Sequence, residues 1–590
     1  MSASSSLSRR GFLGGAAALL AAARVHAVGL AAADAAPLPV DPFTLGVASG
    51  DPQPTSVILW TRLAPAPTAG GGMPADDVLV DWQIATDAAF TDVVATGSEP
   101  AVAALAHSVH IDANGLEPDH WYFYRFAAGG WTSPVGRTRT TPATDAETPL
   151  RLGAASCQNW RAGYYTAHAH LAQESCDVIV WLGDYIYENG GSGPVRAHLG
   201  GEADTLDEYR NRYGLYKGDP NLQAAHAACP WVVVWDDHEV DNNYAGSTPA
   251  DATPEAEFLA RRAAAYQAWF EHQPVRLAAP SGPDYDIYRH FDWGRVARVH
   301  LPDTRQHRSD QSCGDGLKTA CAGYDDAART LLGDAQETWL LDSFTTSTAR
   351  WDVFAQQIVF AAMPVGNLVN MDQWDGYPAQ RARVWPVLQS RPNVLVLSGD
   401  IHFNGVARLH ETLDDVSTAL RGTELVVGSI SSQFTAAPAD VVKGLIELNE
   451  WWDHVNAAER GYAVVDLTMT AMHGELRVVS TALETEATVR TDIAVDVDAV
   501  DPPPPTTTTT TSTSTSTSTS TSTTSTTSTP TTTSTTSTTS TPASTTTTST
   551  GTSTSTVPTS TTTATSTTTT TTPAAVAPAD AVAASPLFAG

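Results

Sequence analysis

Four apolar runs in this chain each end in side chains able to bind a metal ion. Arg151-Leu-Gly-Ala-Ala-Ser156 leads to Cys157, and Asp177-Val-Ile-Val-Trp-Leu-Gly183 leads to Asp184, with Tyr187 three residues on. Trp231-Val-Val-Val-Trp235 leads to Asp236-Asp237-His238-Glu239, and Asn393-Val-Leu-Val-Leu-Ser-Gly399 leads to Asp400-Ile401-His402. Each run reads as a buried strand, and residues at the carboxyl ends of strands in one sheet converge on a single crevice. One aspartate after one strand would mean little, but four ligand sets in this position are hard to explain as solvated turns. The pattern predicts one metal-binding site.

The elements that must carry these residues are legible at coarse grain. From about Leu150 to Val500, apolar runs alternate with helical stretches such as Glu255 to Phe270, which predicts a layered α/β domain. From Phe43 to about Thr140, short runs such as Ser56-Val-Ile-Leu-Trp60, Val78-Leu-Val-Asp-Trp82 and Trp121-Tyr-Phe-Tyr-Arg-Phe126 predict a small β-sandwich. From Pro502 to about Thr572 the chain is almost entirely Thr and Ser with scattered Pro. Such a segment buries too little to offset the entropy of ordering, and a disordered stalk is expected, followed by an Ala-rich end from Pro573. At the other terminus, Ser8-Arg9-Arg10-Gly11-Phe12-Leu13 opens an apolar run to about Ala23. The run is too short to span a bilayer and fits an export signal, and its paired arginines resemble the twin-arginine type. The resulting division is a signal over 1–36, a β-sandwich over 37–145, a catalytic domain over 146–500 and a stalk with its Ala-rich end over 501–590. A secreted protein is expected, extracellular or held at the cell wall through the stalk, with no transmembrane segment.

Composition narrows the function. A length of 590 residues and a 42% apolar fraction suffice for a large core. The formal charge of −31 repels a phosphate backbone, so no specific nucleic-acid partner is expected. A hydrolase acting on small anions must then supply positive charge locally, and bound metal ions are the natural source. The five cysteines match no zinc spacing. Cys313 and Cys321 flank a Gly-rich loop and can be bridged in an oxidising compartment; Cys176 and Cys229 are a second candidate pair.

Gly183-Asp184-x-x-Tyr187 with Asp400-x-His402 resembles the metallophosphoesterase superfamily, including the form in which a purple acid phosphatase binds ferric iron through a tyrosine. Ala-Ser-Cys157-Gln-Asn, Trp235-Asp-Asp-His-Glu239, Asp303-Thr-Arg-Gln306 and Ser398-Gly-Asp-Ile-His402 together are similar to PhoD-like alkaline phosphatases. So are Phe43-Thr-Leu-Gly-Val-Ala-Ser-Gly-Asp51 and Leu59-Trp-Thr-Arg62, and the likeness runs from about Phe43 to Val479. The resemblance implies a metallophosphoesterase-type α/β sandwich behind an N-terminal, fibronectin-like β-sandwich. It implies Cys157 and Tyr187 on Fe(III), Asp184 bridging to a neighbouring ion, Asp237, Asp400 and His402 completing the cluster, and Ca2+ as the other ions. Thiolate, phenolate and imidazole suit a ferric centre, and carboxylates suit calcium. Asn242 or Asn243 can add an oxygen ligand. Two cations roughly 3.5–4 Å apart can hold a hydroxide and clamp phosphate oxygens, so no protein nucleophile is needed. His238 and Arg305 would then neutralise charge growing on the phosphoryl group.

The implied activity is an alkaline phosphatase or phosphodiesterase acting on small phosphoesters. Alternatives are a phospholipase D-like diesterase and a non-catalytic surface adhesion protein, the latter suggested by the sandwich and stalk. Arg161 and His168 are candidates for lining the pocket. His168-Ala-His170 looks like a metal pair, but neighbours two apart on a helix face different ways, and a structural role is expected.

Overall fold

The computed structural model describes residues 37–434 and 437–501. The expected export signal and nearly all of the expected stalk, from residue 502 onward, lie outside the described residues.

Two large sheets form the body. In the first, the strands Leu150–Ala155, Val178–Leu182 and Trp231–Val234 run parallel at the centre. In the second, Ala297–Leu301, Trp351–Ala355, Val394–Ser398 and Leu420–Val426 run parallel. Val178–Leu182, Trp231–Val234 and Val394–Ser398 are near-continuous apolar runs, buried throughout, because both of their faces are covered. Alternation along Val394–Ser398 shows the division. Leu395 and Leu397 join a core shared with Leu152, Val180 and Val232 of the first sheet. Val394 and Val396 pack outward with Phe344 and Leu388, which lie on the helices Gly333–Thr346 and Pro378–Leu388. Side chains with a period of two thus bind sheet to sheet on one face and sheet to helix on the other. The helical stretch from Glu255 is a helix over Glu255–His272.

The N-terminal region also packs two layers, with Val57, Leu59, Val109 and Ile111 against Val80, Ile84, Tyr124 and Phe126. One of these layers is not confined to that region. Its strands Val47–Gln53, Ser56–Arg62 and Ser108–Asn114 continue the first large sheet, making it nine-stranded through a parallel pairing of Gly50 with Trp231.

Cys313 and Cys321 form a disulfide. Cys176 and Cys229, the other candidate pair, are separate buried thiols, each packed as a small hydrophobe in the main core. Among the described residues, no helix is long and apolar enough to cross a membrane.

Candidate metal centre

All four strand endings meet at one point between the two sheets. The loops approach so closely that a Cβ at Gly399 would lie 2.7 Å from Ser156 Oγ, and one at Gly183 would overlap Asp236. The loop amides are tied together: Cys157 N–H donates to Gly183 O (3.1 Å) and Gln158 N–H to Asp184 O (3.1 Å). Glu239 pins the same turn. Its carboxylate accepts from the backbone N–H groups of Asp184 (3.0 Å), Tyr185 (2.5 Å) and Asp236 (2.9 Å).

The backbone is strained where the ligands are. Cys157, Asp184, Asp400 and His402 all have φ between +57° and +63°. Left-handed conformation costs a non-glycine residue on the order of 1 kcal/mol or more, and it persists where surrounding structure fixes it, commonly at functional sites.

Two ligand groups result, and they share Asp184. Ligand atoms of Cys157, Asp184 and His402 lie within 4.8 Å of one another, as do carboxylate oxygens of Asp184, Asp236 and Asp237. The Tyr187 hydroxyl belongs to the first group: it donates to Asp184 Oδ2 (2.8 Å), lies 3.0 Å from His402 Nε2 and accepts from Ser432 Oγ (2.7 Å). Asp400 lies beside the second group, where its Oδ2 accepts from Gln373 Nε2 (2.6 Å). Asp237 Oδ2 accepts from Asn243 N–H (2.6 Å). All of these side chains are buried.

Without cations this arrangement is electrostatically uncomfortable. Burial, with repulsion from Asp237 and Asp236 and against the pull of His238, lifts the Asp184 carboxyl well above its usual range. Burial and Asp236 do the same to Asp400, and burial raises Asp236 to about 6 and Glu239 to about 8. Burial and Asp184 push up both the Cys157 thiol and the Tyr187 phenol. Asp237 alone is held low, at about 2, because Arg305 and His238 overcome its burial. His402 is lowered by burial to about 3 and stays neutral, as a metal-binding imidazole must. Asp184 Oδ1, Asp236 Oδ2 and Asp237 Oδ1 are buried and have no hydrogen-bond partner. Orphaned carboxylate oxygens, a neutral imidazole, a thiol and a phenol fit metal ions well.

A pocket of about 370 Å³ opens over the centre, lined by Tyr187, His238, His402, Arg161, Asn159 and Ser432 among others. His238 is fixed by Glu188, whose Oε2 lies 2.6 Å from Nδ1. Burial alone would depress this imidazole, but Glu188, Asp184 and Asp237 together raise it well above its ordinary value. The loop carrying Glu188 is held by Arg212, which donates to the carbonyls of Tyr187, Asn189 and Gly201. Arg212 lies on the helix Leu206–Lys217, whose start is fixed by a capping box between Thr205 and Glu208.

The surroundings of Arg305 do not fit the expected contact with phosphate. Its guanidinium is fully buried behind the carboxylates, with Nε on Asp236, NH1 on Asp372 (2.9 Å) and NH2 on Asp400 (3.1 Å) and near Asp237 (3.3 Å). It is absent from the pocket wall. Arg161 does line the pocket, whereas His168 is buried against Gln158 (2.7 Å) and His170 bonds Ala487 O (2.7 Å). Glu188, Asp372 and Ser432 were not singled out from the sequence. Glu188 directly follows Tyr187 and was open to notice there; Asp372 and Ser432 follow no strand-end pattern.

Comparison with known proteins agrees with this geometry. A family model described as PhoD-like phosphatase matches residues 152–476, and one for the PhoD-like phosphatase N-terminal domain matches residues 29–142. Alkaline phosphatase D of Bacillus subtilis (strain 168) is 50% identical over 405 residues, covering 66% of this chain and 70% of that protein. A solved structure of PhoD superposes with a TM-score of 0.76 at 44% identity, over 78% of this chain and 91% of that one. A purple acid phosphatase from yellow lupin (Lupinus luteus) seeds aligns over 75% of this chain and 73% of its own at 10% identity and a TM-score of 0.47, too loosely to carry an argument.

Proposed function

From the premise that this chain belongs to the PhoD-like phosphatase family and is a phosphoester hydrolase, we propose that hydrolysis takes place over Asp184, between the two ligand groups that share it. Cys157, Tyr187 and His402, with Asp184, would hold Fe(III). Asp237 and Asp400, with Asp236 and Asn243 nearby, would hold Ca2+. The support is the donor chemistry: soft and aromatic ligands gather in one group, and carboxylate oxygens in the other. When bound, such ions supply the positive charge that polarises the phosphoryl group and activates water.

The protein's own groups do the rest. Asp184 belongs to both groups: its Oδ2 accepts from Tyr187, and its Oδ1 is buried without a hydrogen-bond partner. Glu239 holds the Asp184 and Asp236 amides, so the ligand loops are set before substrate arrives. His238 gives Nδ1 to Glu188 and lines the pocket, where an imidazolium N–H can donate to a phosphoryl or leaving-group oxygen. Arg305 acts from behind, holding Asp236, Asp237 and Asp400 in register.

Asn159, Arg161, Asn189, Ser192 and Gln433 give the pocket a polar wall, which suits small phosphoesters better than an acyl chain. We take residues 37–145 as the N-terminal sandwich and 146–500 as the catalytic domain. Export by the twin-arginine route and wall association through the stalk are supported by the Arg9-Arg10 signal and the Thr/Ser run. The observation that carries the functional reading is the sharing of Asp184 by both groups beneath the His238 pocket. Metal-loaded protein should release p-nitrophenol from p-nitrophenyl phosphate or its bis ester at alkaline pH. Release from neither would overturn it.

A further inference from the structure

The disulfide-closed loop reaches the candidate centre from outside the pocket wall. Cys313 and Cys321 close it, and its strand Leu317–Thr319 pairs with Leu368–Asn370. Within the loop, Asp315 Oδ2 accepts from Asn243 Nδ2 (2.7 Å), while its Oδ1 accepts from Gly316 N–H (2.6 Å). Gln311 Nε2 bridges Asn243 O (2.9 Å) and Asp372 Oδ1 (2.8 Å). Asn243 is therefore held at its side chain by Asp315 of the loop and at its backbone by Gln311, two residues before the loop begins.

Asn243 is no ordinary loop residue. It is 3% exposed, its φ is +54°, and its N–H donates to Asp237 Oδ2. Its Oδ1 is buried with no hydrogen-bond partner. A side-chain amide can be turned either way about its last bond, presenting oxygen or nitrogen to a given neighbour. A carboxylate only accepts, so Asp315 admits one of the two orientations: Nδ2 toward Asp315 and Oδ1 away from it. The amide oxygen so fixed is left without a donor, next to Asp237, whose Oδ1 accepts no hydrogen bond and has the Arg305 guanidinium 3.3 Å away. A donor-less amide oxygen beside a buried carboxylate fits a hard cation.

We propose that Asp315, held in place by the Cys313–Cys321 disulfide, is a positioning residue that fixes the orientation of Asn243 so that its amide oxygen is offered to the calcium ion at Asp237. The inference rests on the proposed metal centre. It gives the disulfide a role in metal affinity, because the bridge sets the turn from which Asp315 reaches Asn243. Cys321 is exposed, so a reductant has access to the bridge.

The test is calcium binding by the full-length protein, stripped with chelator and titrated with CaCl2 by calorimetry. Asp315→Asn is nearly isosteric but can donate as well as accept, so it no longer selects one amide orientation. Cys313→Ser/Cys321→Ser releases the turn. Each variant should bind calcium about tenfold more weakly, in the range found when supporting partners of metal ligands are removed. Wild-type protein treated with reductant should match the double-serine chain, and melting temperatures in chelator should stay close to wild type for Asp315→Asn. Should the double-serine chain fail to fold, Asp315→Asn decides alone. Calcium affinity within twofold of wild type for Asp315→Asn would overturn this inference and leave the metal centre standing. A wild-type chain that takes up no calcium would overturn both.

Discussion

Replacing Glu188 by Gln tests how His238 works. The pair is separated by 2.6 Å, and both side chains are 4% exposed. The two delocalised charges, centred about 4 Å apart, attract by about 4 kcal/mol at an effective dielectric of 20. Gln keeps an acceptor for Nδ1–H and so keeps the ring oriented, but it removes the charge that stabilises a protonated imidazole. If somewhat more than half of that interaction is felt in the transition state, kcat falls by about 10²-fold, equivalent to about 2.7 kcal/mol, with KM little changed. The assay is steady-state hydrolysis of p-nitrophenyl phosphate and of phenyl phosphate. The loss should be larger on phenyl phosphate if His238 protonates the leaving group, because the poorer leaving group depends more on an acid. A double-mutant cycle supplies the decisive comparison: in a His238→Ala background, Glu188→Gln should cost nothing further. If it costs the same 10²-fold with metal content unchanged, Glu188 acts by another route and the dyad is dismissed.

Cys157→Ser should bleach the visible absorption expected of a thiolate and phenolate on ferric iron and lower activity by at least about 10²-fold; an active wild-type protein without colour or iron would sink the iron assignment. Arg305→Met should destabilise the metal-free fold by about 3–5 kcal/mol, since it strands Asp236, Asp237, Asp372 and Asp400 without their cation, measured by urea titration. A large loss of kcat with stability intact would instead restore a direct contact with phosphate. In chelator, stability should fall between pH 6.5 and 8. Glu239 is raised from 4.5 to about 8, so the folded chain holds a proton there that the unfolded chain has released, and stability drops by about 1 kcal/mol per pH unit as that proton is lost. Asp184, Asp400 and His238 are raised too and act in the same sense. Below pH 6.5 the sign reverses for His402, His168 and His198, each lowered by burial to about 3, which favour the fold only while they stay neutral. Excess metal should flatten the alkaline fall, because ligands bind in their deprotonated forms. A melting temperature in chelator that rises from pH 6.5 to 8 would contradict this balance.

What the sequence disclosed follows from how its signals are written. Cys157, Asp184, Asp236 and Asp400 each directly follow a Ser, Gly or Trp at the end of a largely apolar run, which marked these loops, whereas Asp237 came from the family resemblance. Joining of the N-terminal strands to the catalytic sheet had no such mark, since the pairing of Gly50 with Trp231 links residues far apart in the chain. Arg305 carried no such mark either: nothing in its loop sequence shows that Asp236, Asp372 and Asp400 hold its donors.

The same contacts explain why these acidic residues need ions at all. Asp184, Asp236, Asp237, Glu239, Asp372 and Asp400 are buried together, and among the described residues the cationic groups beside them are Arg305, Arg308 and His238. Glu188 already claims part of the charge of His238. Carboxylates buried in excess of their counter-charges must either take up protons or bind cations. The raised carboxyls of Asp184, Asp400 and Glu239 are the first outcome, and they describe the protein without its metals. In the proposed centre, metal ions would replace those protons at the strained turns where Cys157, Asp184, Asp400 and His402 hold left-handed backbone. Ligation would then offset the conformational cost and make the centre part of the folding energy as well as the site of chemistry.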